Sequence, residues 1–315
     1  MAKYIKMLNA GGMGERGRVL KPETLEMMLT PQNGGILLDF DAKVGLTWLL
    51  SDDELNYAGK LCWHDGSVPG FSSYLGTLVD HKLGVVVLTN DPRVASDDIG
   101  KQTLKLALRD KVGLTPPSPF IPAYSPPVPW DQARLDSLQG IYVFSHNPYA
   151  SPFPYITVRS VPDALEWIHP DNGTTVHIVP KANGWLSAPG SQATEFEFRV
   201  VSGRNVMIAH SDGQTKLIAE YYSPPSVPAA WTARIGAYQA TNWQNDSSAS
   251  PVPSGELVVV DGIIGFGSYV LVPVSDTLAY VLGLNRAGGS SVQVLPVAPD
   301  GHEEIQLLGV RYRKN

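Results

Sequence analysis

The chain has 315 residues, 43% hydrophobic and 17% charged, with a formal net charge of −6. That apolar content excludes a disordered chain, and the length accommodates two or three domains. An acidic balance with no basic block argues against nucleic acid and against an electrostatic membrane surface as partners.

Thirty glycines and 26 prolines favour a turn-rich, largely β architecture. No apolar run is long enough to span a bilayer, and Met1–Lys6 has no signal-peptide core. The lone cysteine, Cys62, excludes an intrachain disulfide, which leaves the compartment open. Asn172-Gly173-Thr174 and Asn245-Asp246-Ser247 match the glycan acceptor pattern, a pattern short enough to arise by chance.

In chain order, residues 2–10 read as a short helix stopped by Gly11-Gly12, and residues 22–30 as a second, opened by Pro22 and striped by Leu25, Met28 and Leu29. Residues 45–50, 61–64, 72–79 and 83–89 read as strands. The run Leu83-Gly84-Val85-Val86-Val87-Leu88 is apolar on both faces and is expected to be buried. Asp80-His81-Lys82 reads as a tight hairpin connection. A longer helix is expected over 97–112, with Ser96, Asp97 and Asp98 capping its start and Leu104, Leu108 and Val112 on its inner face.

Residues 115–129 hold seven prolines and read as a stiff linker. Beyond them the texture changes to short alternating segments, such as 194–201, 205–209, 256–260 and 305–311, separated by turn residues, with no strong helix after about residue 140. Leu138-Gln139-Gly140-Ile141-Tyr142 is echoed by Arg234-Ile235-Gly236-Ala237-Tyr238. Either two successive small β-domains or one larger β-domain with a long loop fits this pattern.

The chemistry concentrates in Trp63-His64-Asp65-Gly66-Ser67-Val68-Pro69-Gly70-Phe71-Ser72-Ser73. On a strand, His64 and Gly66 share one face and Asp65 takes the other. An imidazole donates to a carboxylate or relays a proton near neutrality, and a residue without Cβ lets an extended substrate lie close. A lone strand histidine is equally compatible with an ordinary core or surface role.

Taken in order, His64-Asp65-Gly66, the Gly70–Ser73 step, the apolar strand ending in Thr89-Asn90, and the upstream Thr30-Pro31-Gln32 and Gly45–Trp48 resemble the β-lactamase-related serine hydrolases. That family includes class C β-lactamases, esterases and D-aminopeptidases. The resemblance covers residues 1 to about 113. It implies that His64-x-Gly66 is the family's third motif and that the Ser67 backbone N–H is one oxyanion donor. The fold class it implies is α+β followed by all-β. An incomplete penicillin-binding-protein-like α/β domain (1–114) precedes a linker (115–130) and two small antiparallel β-barrel-like domains (131–229 and 230–315). The two-block tail resembles, on architecture alone, the lipocalin-like barrels of D-aminopeptidases.

The family's Ser-x-x-Lys and Tyr-x-Asn occur nowhere in the chain. The resemblance places residue 2 past both motifs, so Met1 reads as an internal methionine and a Ser-x-x-Lys is expected upstream of it. It also implies that strand 83–90 lacks partner strands, leaving an open sheet edge prone to self-association.

A Cys62–His64 pair on one face is a conceivable substitute nucleophile, with a buried structural Cys62 the alternative. His81, His146, His169, His177, His210 and His302 show no metal spacing, no cofactor motif is present, and His302-Glu303-Glu304 reads as a solvated turn. Trp167, Trp185, Trp231 and Trp243 either line a ligand cavity or pack cores. Three functions stay open. These are a silent derivative of a hydrolase acting on a small-molecule or peptide substrate, a non-catalytic binding module built on the β-domains, and one part of a longer gene product.

Overall fold

A computed structural model of the chain describes residues 1–52, 54–68, 71–91, 93–118, 123–145, 153–170, 173–191, 193–242, 254–283, 288–297 and 301–315. Pro69, Gly70, His146, Asn172, Trp243 and Asn245 lie outside the described residues, and with them both sequons. The chain divides into two compact units, Met1–Ile121 with Asp212–Lys216, and Pro122–Ser211 with Leu217–Asn315.

The first unit opens with helix α1 (Ala2–Asn9), a two-residue hairpin β1 (Met13–Gly14) and β2 (Gly17–Arg18), and helix α2 (Pro22–Met28). A three-stranded antiparallel sheet follows, β3 (Leu61–Val68), β4 (Phe71–Leu78) and β5 (Leu83–Thr89), in the order β3-β4-β5, and then helix α3 (Ser96–Val112). Each sheet face has its own cover. Cys62 and Leu75 pack with Ile5, Leu8, Leu25 and Trp48 on one side. Leu61 and Leu78 pack with Leu55, Leu104 and Leu108 on the other. Gly100 brings α3 onto the sheet, since a Cβ there would lie 2.2 Å from the Tyr74 ring.

Four expectations for this unit are corrected. Residues 45–50 make no regular strand. Thr47 takes φ 65° and the Gly45 N–H bonds the Trp48 carbonyl, a tight turn held by isolated bridges Val44–Leu49 and Leu49–Trp63. Strand β5 is not buried on both faces. It is an edge strand with Leu88 71% exposed, because among the described residues β4 alone pairs with it. Helix α3 has no side-chain cap, as Ser96 bonds Ser72 and Asp97 pairs with Lys101 instead. Val112 is exposed, so the inner face of α3 stops at Leu108.

The second unit contains two closed eight-stranded antiparallel barrels. The first is introduced by helix α4 (Gln132–Asp136) and built from β6 (Gly140–Phe144), β7 (Tyr155–Val161), β8 (Ala164–Ile168), β9 (Thr175–Pro180), β10 (Leu186–Ser187), β11 (Thr194–Val201), β12 (Arg204–Ser211) and β13 (Gln214–Tyr222). The second follows helix α5 (Ala229–Thr232) and consists of β14 (Gly236–Ala240), β15 (Ser254–Val260), β16 (Ile263–Phe266), β17 (Tyr269–Pro273), β18 (Leu278–Val281), β19 (Ser291–Val294), β20 (Glu304–Leu307) and β21 (Val310–Lys314). The expected single strand 305–311 is the hairpin β20–β21, turned at Leu308-Gly309. The expected solvated turn at 302–304 is also corrected. Glu303 takes the Arg234 guanidinium at 2.6 and 2.9 Å, and Glu304, which is buried, pairs with Arg313.

The sequence echo is a structural repeat. In each barrel a fully buried side chain from the short leading helix, Leu135 or Trp231, joins the core. A glycine with positive φ follows, Gly140 at 139° or Gly236 at 149°. A Cβ at either would strike the barrel's last strand, 2.4 Å from Tyr221 or 2.7 Å from Lys314. Two residues later a tyrosine hydroxyl donates back to the chain, Tyr142 to the Leu138 carbonyl at 3.0 Å and Tyr238 to the Arg234 carbonyl at 2.8 Å. The two barrels share an apolar joint of Val143, Tyr155, Ile263 and Val270.

Candidate functional site

Strand β3 carries every residue the sequence assigned to the site. Its register against β4 sets His64 opposite Leu75 and Gly66 opposite Ser73. Trp63 and Leu49 exchange N–H···O bonds of 2.9 and 3.0 Å on the far side. Antiparallel ladders alternate, so the odd-numbered residues of β3 direct N–H and C=O away from β4. The Ser67 amide therefore points off the open edge, where no acceptor among the described residues takes it. This N–H is outside the β3–β4 ladder.

His64 is exposed, and its Nδ1–H donates to the Asp65 carbonyl. That bond fixes the ring and assigns Nε2 the outward chemistry, as acceptor when neutral and donor when protonated. Gly66 is held from behind. The Ser73 hydroxyl donates to its carbonyl at 3.2 Å, and a Cβ on Gly66 would lie 2.9 Å from that hydroxyl. The sequence reading missed Ser73 as the supporting residue, because only the register reveals the pairing.

Cys62 shares the His64 face but lies under α1 and α2. Burial pushes its thiol up to about 12, against slight opposition from Lys60. Such a thiol is protonated and inert at neutral pH, which decides for the structural reading. Ser72 is tied to Ser96 at 2.7 Å and Ser73 to Gly66, so neither hydroxyl contacts a base.

Behind the strand, on the α3 side, Trp63 stacks on Tyr74 at 5.8 Å and donates to the Ser51 carbonyl. Lys101 lies 3.4–3.5 Å from Asp52, Glu54 and Asp97, and Lys105 also pairs with Glu54. The i,i+4 spacing of Asp97 and Lys101 was the one sequence signal for this cluster. Among the described residues no group of His, Cys, Asp and Glu could hold a metal ion, and no helix is long and apolar enough to cross a membrane.

The tryptophans divide. Trp167 and Trp231 are barrel core, whereas Trp185 stacks on His210 at 3.8 Å. In the first barrel, Tyr142, Phe198, Arg199 and Tyr221 line a cleft of about 410 Å³.

Residues 1–109 match the beta-lactamase family model. The His64–Ser67 edge therefore lies inside the beta-lactamase-like stretch. Among solved structures, the chain is similar to an octameric penicillin-binding protein homologue from Pyrococcus abyssi, at 21% identity over 70% of this chain and 44% of that one, with a TM-score of 0.31. It is also similar to SurE solved with D-Leu, at 13% identity over 65% of this chain and 44% of that one, with a TM-score of 0.38. The chain spans less than half the length of either structure. No curated protein matches it.

Proposed function

We propose that the chain is a fragment or derivative of a β-lactamase-related serine hydrolase, with residues 1–114 forming the C-terminal part of the catalytic domain. Residues 115–130 are then a linker, and 131–229 and 230–315 two tail domains. The parent reaction is acyl transfer from an amide or ester to water through an acyl-serine. In it His64 and Gly66 form the substrate-side wall, and the Ser67 N–H stabilises the oxyanion. The carrying observation is the Ser67 amide directed off the β3 edge beside the exposed His64. With no Ser-x-x-Lys in its 315 residues, the chain alone binds without turnover.

Two measurements test this. Amide shifts are followed while the chain is titrated with a β-lactam, a p-nitrophenyl ester or a D-alanyl peptide. The Ser67 amide is expected to move, and His64→Ala to weaken the response. A Ser67 amide indifferent to all three sinks the assignment. The same compounds are assayed for hydrolysis. Turnover that vanishes in His64→Ala would mean a nucleophile is present after all.

A second reading, a non-catalytic ligand-binding protein built on the barrels, is favoured by the aromatic cleft beside Tyr142 and Tyr221. It expects a ligand that raises the melting temperature through a site abolished by Tyr221→Ala, with Ser67 unmoved.

A further inference from the structure

We propose that the open end of the first barrel is a binding site for a neutral sugar ring, which rests on the barrel-binding reading and names its ligand. Side-chain alternation locates the site. Tyr142 and Phe198 belong to the barrel core, so they face inward. Two residues beyond Phe198 on β11, Val200 faces inward as well, and its cross-strand partner on β12 is Asn205. On β13, Tyr221 stands opposite Tyr142 and shares its face. Yet Val200 is 63% exposed and Tyr221 38%. These residues therefore stand at the mouth of the barrel, above a floor of Tyr142 and Phe198, whose rings meet at 5.2 Å. Ser137, Leu138 and Gln139, just after α4, border one side of the cleft, and its volume of about 410 Å³ is in the range of small-molecule sites.

The inward wall is aromatic and amide but uncharged. Arg199 borders the cleft from an outward position, where it pairs with Glu197 at 3.6 Å, and Arg204 pairs with Glu220 at 2.8 Å, also on the outward face. An ionic ligand would enter without a counter-charge on the inward wall. What that wall offers is an exposed tyrosine ring, set edge-on to Tyr142 at 5.7 Å. It also offers two polar groups with no hydrogen-bond partner among the described residues, the Asn205 amide and the Tyr221 hydroxyl. A side-chain amide presents donors and an acceptor in one plane, which suits two neighbouring hydroxyls. A pyranose carries such hydroxyls at its rim and a C–H face that packs on a tyrosine ring by dispersion. A bare aromatic ring would use the Tyr221 face and leave the amide idle.

Amide shifts of the full chain are followed during titration with methyl glucoside, methyl galactoside and N-acetylglucosamine. Glucuronate and glucosamine serve as charged counterparts, and phenol as the bare ring. At least one neutral sugar is expected to shift the Val200, Asn205 and Tyr221 amides saturably, at least ~10-fold more tightly than the charged sugars or phenol. Asn205→Ala alters an exposed side chain that makes no bond in the fold. It should keep the wild-type urea midpoint and weaken the sugar about 10-fold. Tyr221→Phe, which keeps the ring, should weaken it less than Tyr221→Ala. Charged sugars or phenol bound as tightly at these amides, or sugar binding indifferent to Asn205→Ala, would overturn the sugar assignment and spare the barrel-binding reading. If none of the compounds moves these amides, both fall.

Discussion

Cys62 and His64 are two residues apart on one strand, yet the first is sealed and the second open, because α1 and α2 cover only part of that sheet face. In the native chain Cys62 should resist iodoacetamide at pH 8 and react fully in urea, as mass spectrometry would register. Its linkage to stability follows. A thiol raised to about 12 keeps its proton in the fold while the unfolded thiol loses its own near 9. The native state then binds more protons, so stability falls as pH climbs from about 9 towards 12. Urea midpoints across that range should decline less in Cys62→Ala. Burial raises Tyr222 and Tyr238 to about 12 as well, so a residual alkaline decline persists in that variant.

The first barrel buries a pair of charges. Lys181 and Glu195 form a buried pair at 3.3 Å, and Asn183 donates to the same carboxylate at 2.9 Å. Lys181→Met leaves that carboxylate uncompensated and should cost about 3–5 kcal/mol in urea unfolding, with Lys181→Met/Glu195→Leu recovering most of the loss. The inertness of Cys62 was legible in the sequence as an apolar strand position. The Lys181–Glu195 pair was not, since it joins the end of β9 to β11 across a turn whose path no local pattern specifies.

Among the elements, the two short leading helices do more than their length suggests. Leu135 and Trp231 each enter a barrel core fully buried. Trp231→Ala should destabilise by about 3–5 kcal/mol and Leu135→Ala by about 2–5 kcal/mol, measured by urea denaturation. The Trp231 indole also donates to the Ser275 carbonyl at 2.8 Å, so Trp231→Phe, which keeps the ring and drops the bond, should fall between wild type and alanine. The repeated Gly-x-Tyr was readable because it encodes a local device, a positive φ followed by a tyrosine bonding four residues back. Where the sequence misled, the cause was tertiary. Residues 45–50 have strand-like composition, but Thr47 at positive φ folds them into a turn. The apolar run 83–89 promised burial on both faces, and its position at the sheet edge denies that.

For the whole molecule, the two units should differ in independence. Residues 1–115 expressed alone should aggregate, because the β5 edge is uncharged and Phe71 and Leu88 are exposed. A soluble 1–115 fragment with a sharp melting transition would contradict this. A fragment from residue 122 to 315 has both barrels closed and joined at Val143, Tyr155, Ile263 and Val270. It should melt in one calorimetric transition, and Val270→Asp should split that into two as the joint loses its apolar contacts. Composition alone announced a β-rich tail, and motif order announced the first unit. The expectation of barrels was not carried by any local motif; the closing pairs, β13 with β6 and β21 with β14, join strands far apart in the chain.

Aromatic rings from non-adjacent strands meet inside both barrels, Trp167 against Phe196 at 4.5 Å in one and Phe266 against Tyr312 at 5.1 Å in the other. Each interior is plugged at that level. A greasy dye or fatty acid offered to this tail should therefore not thread either barrel from end to end.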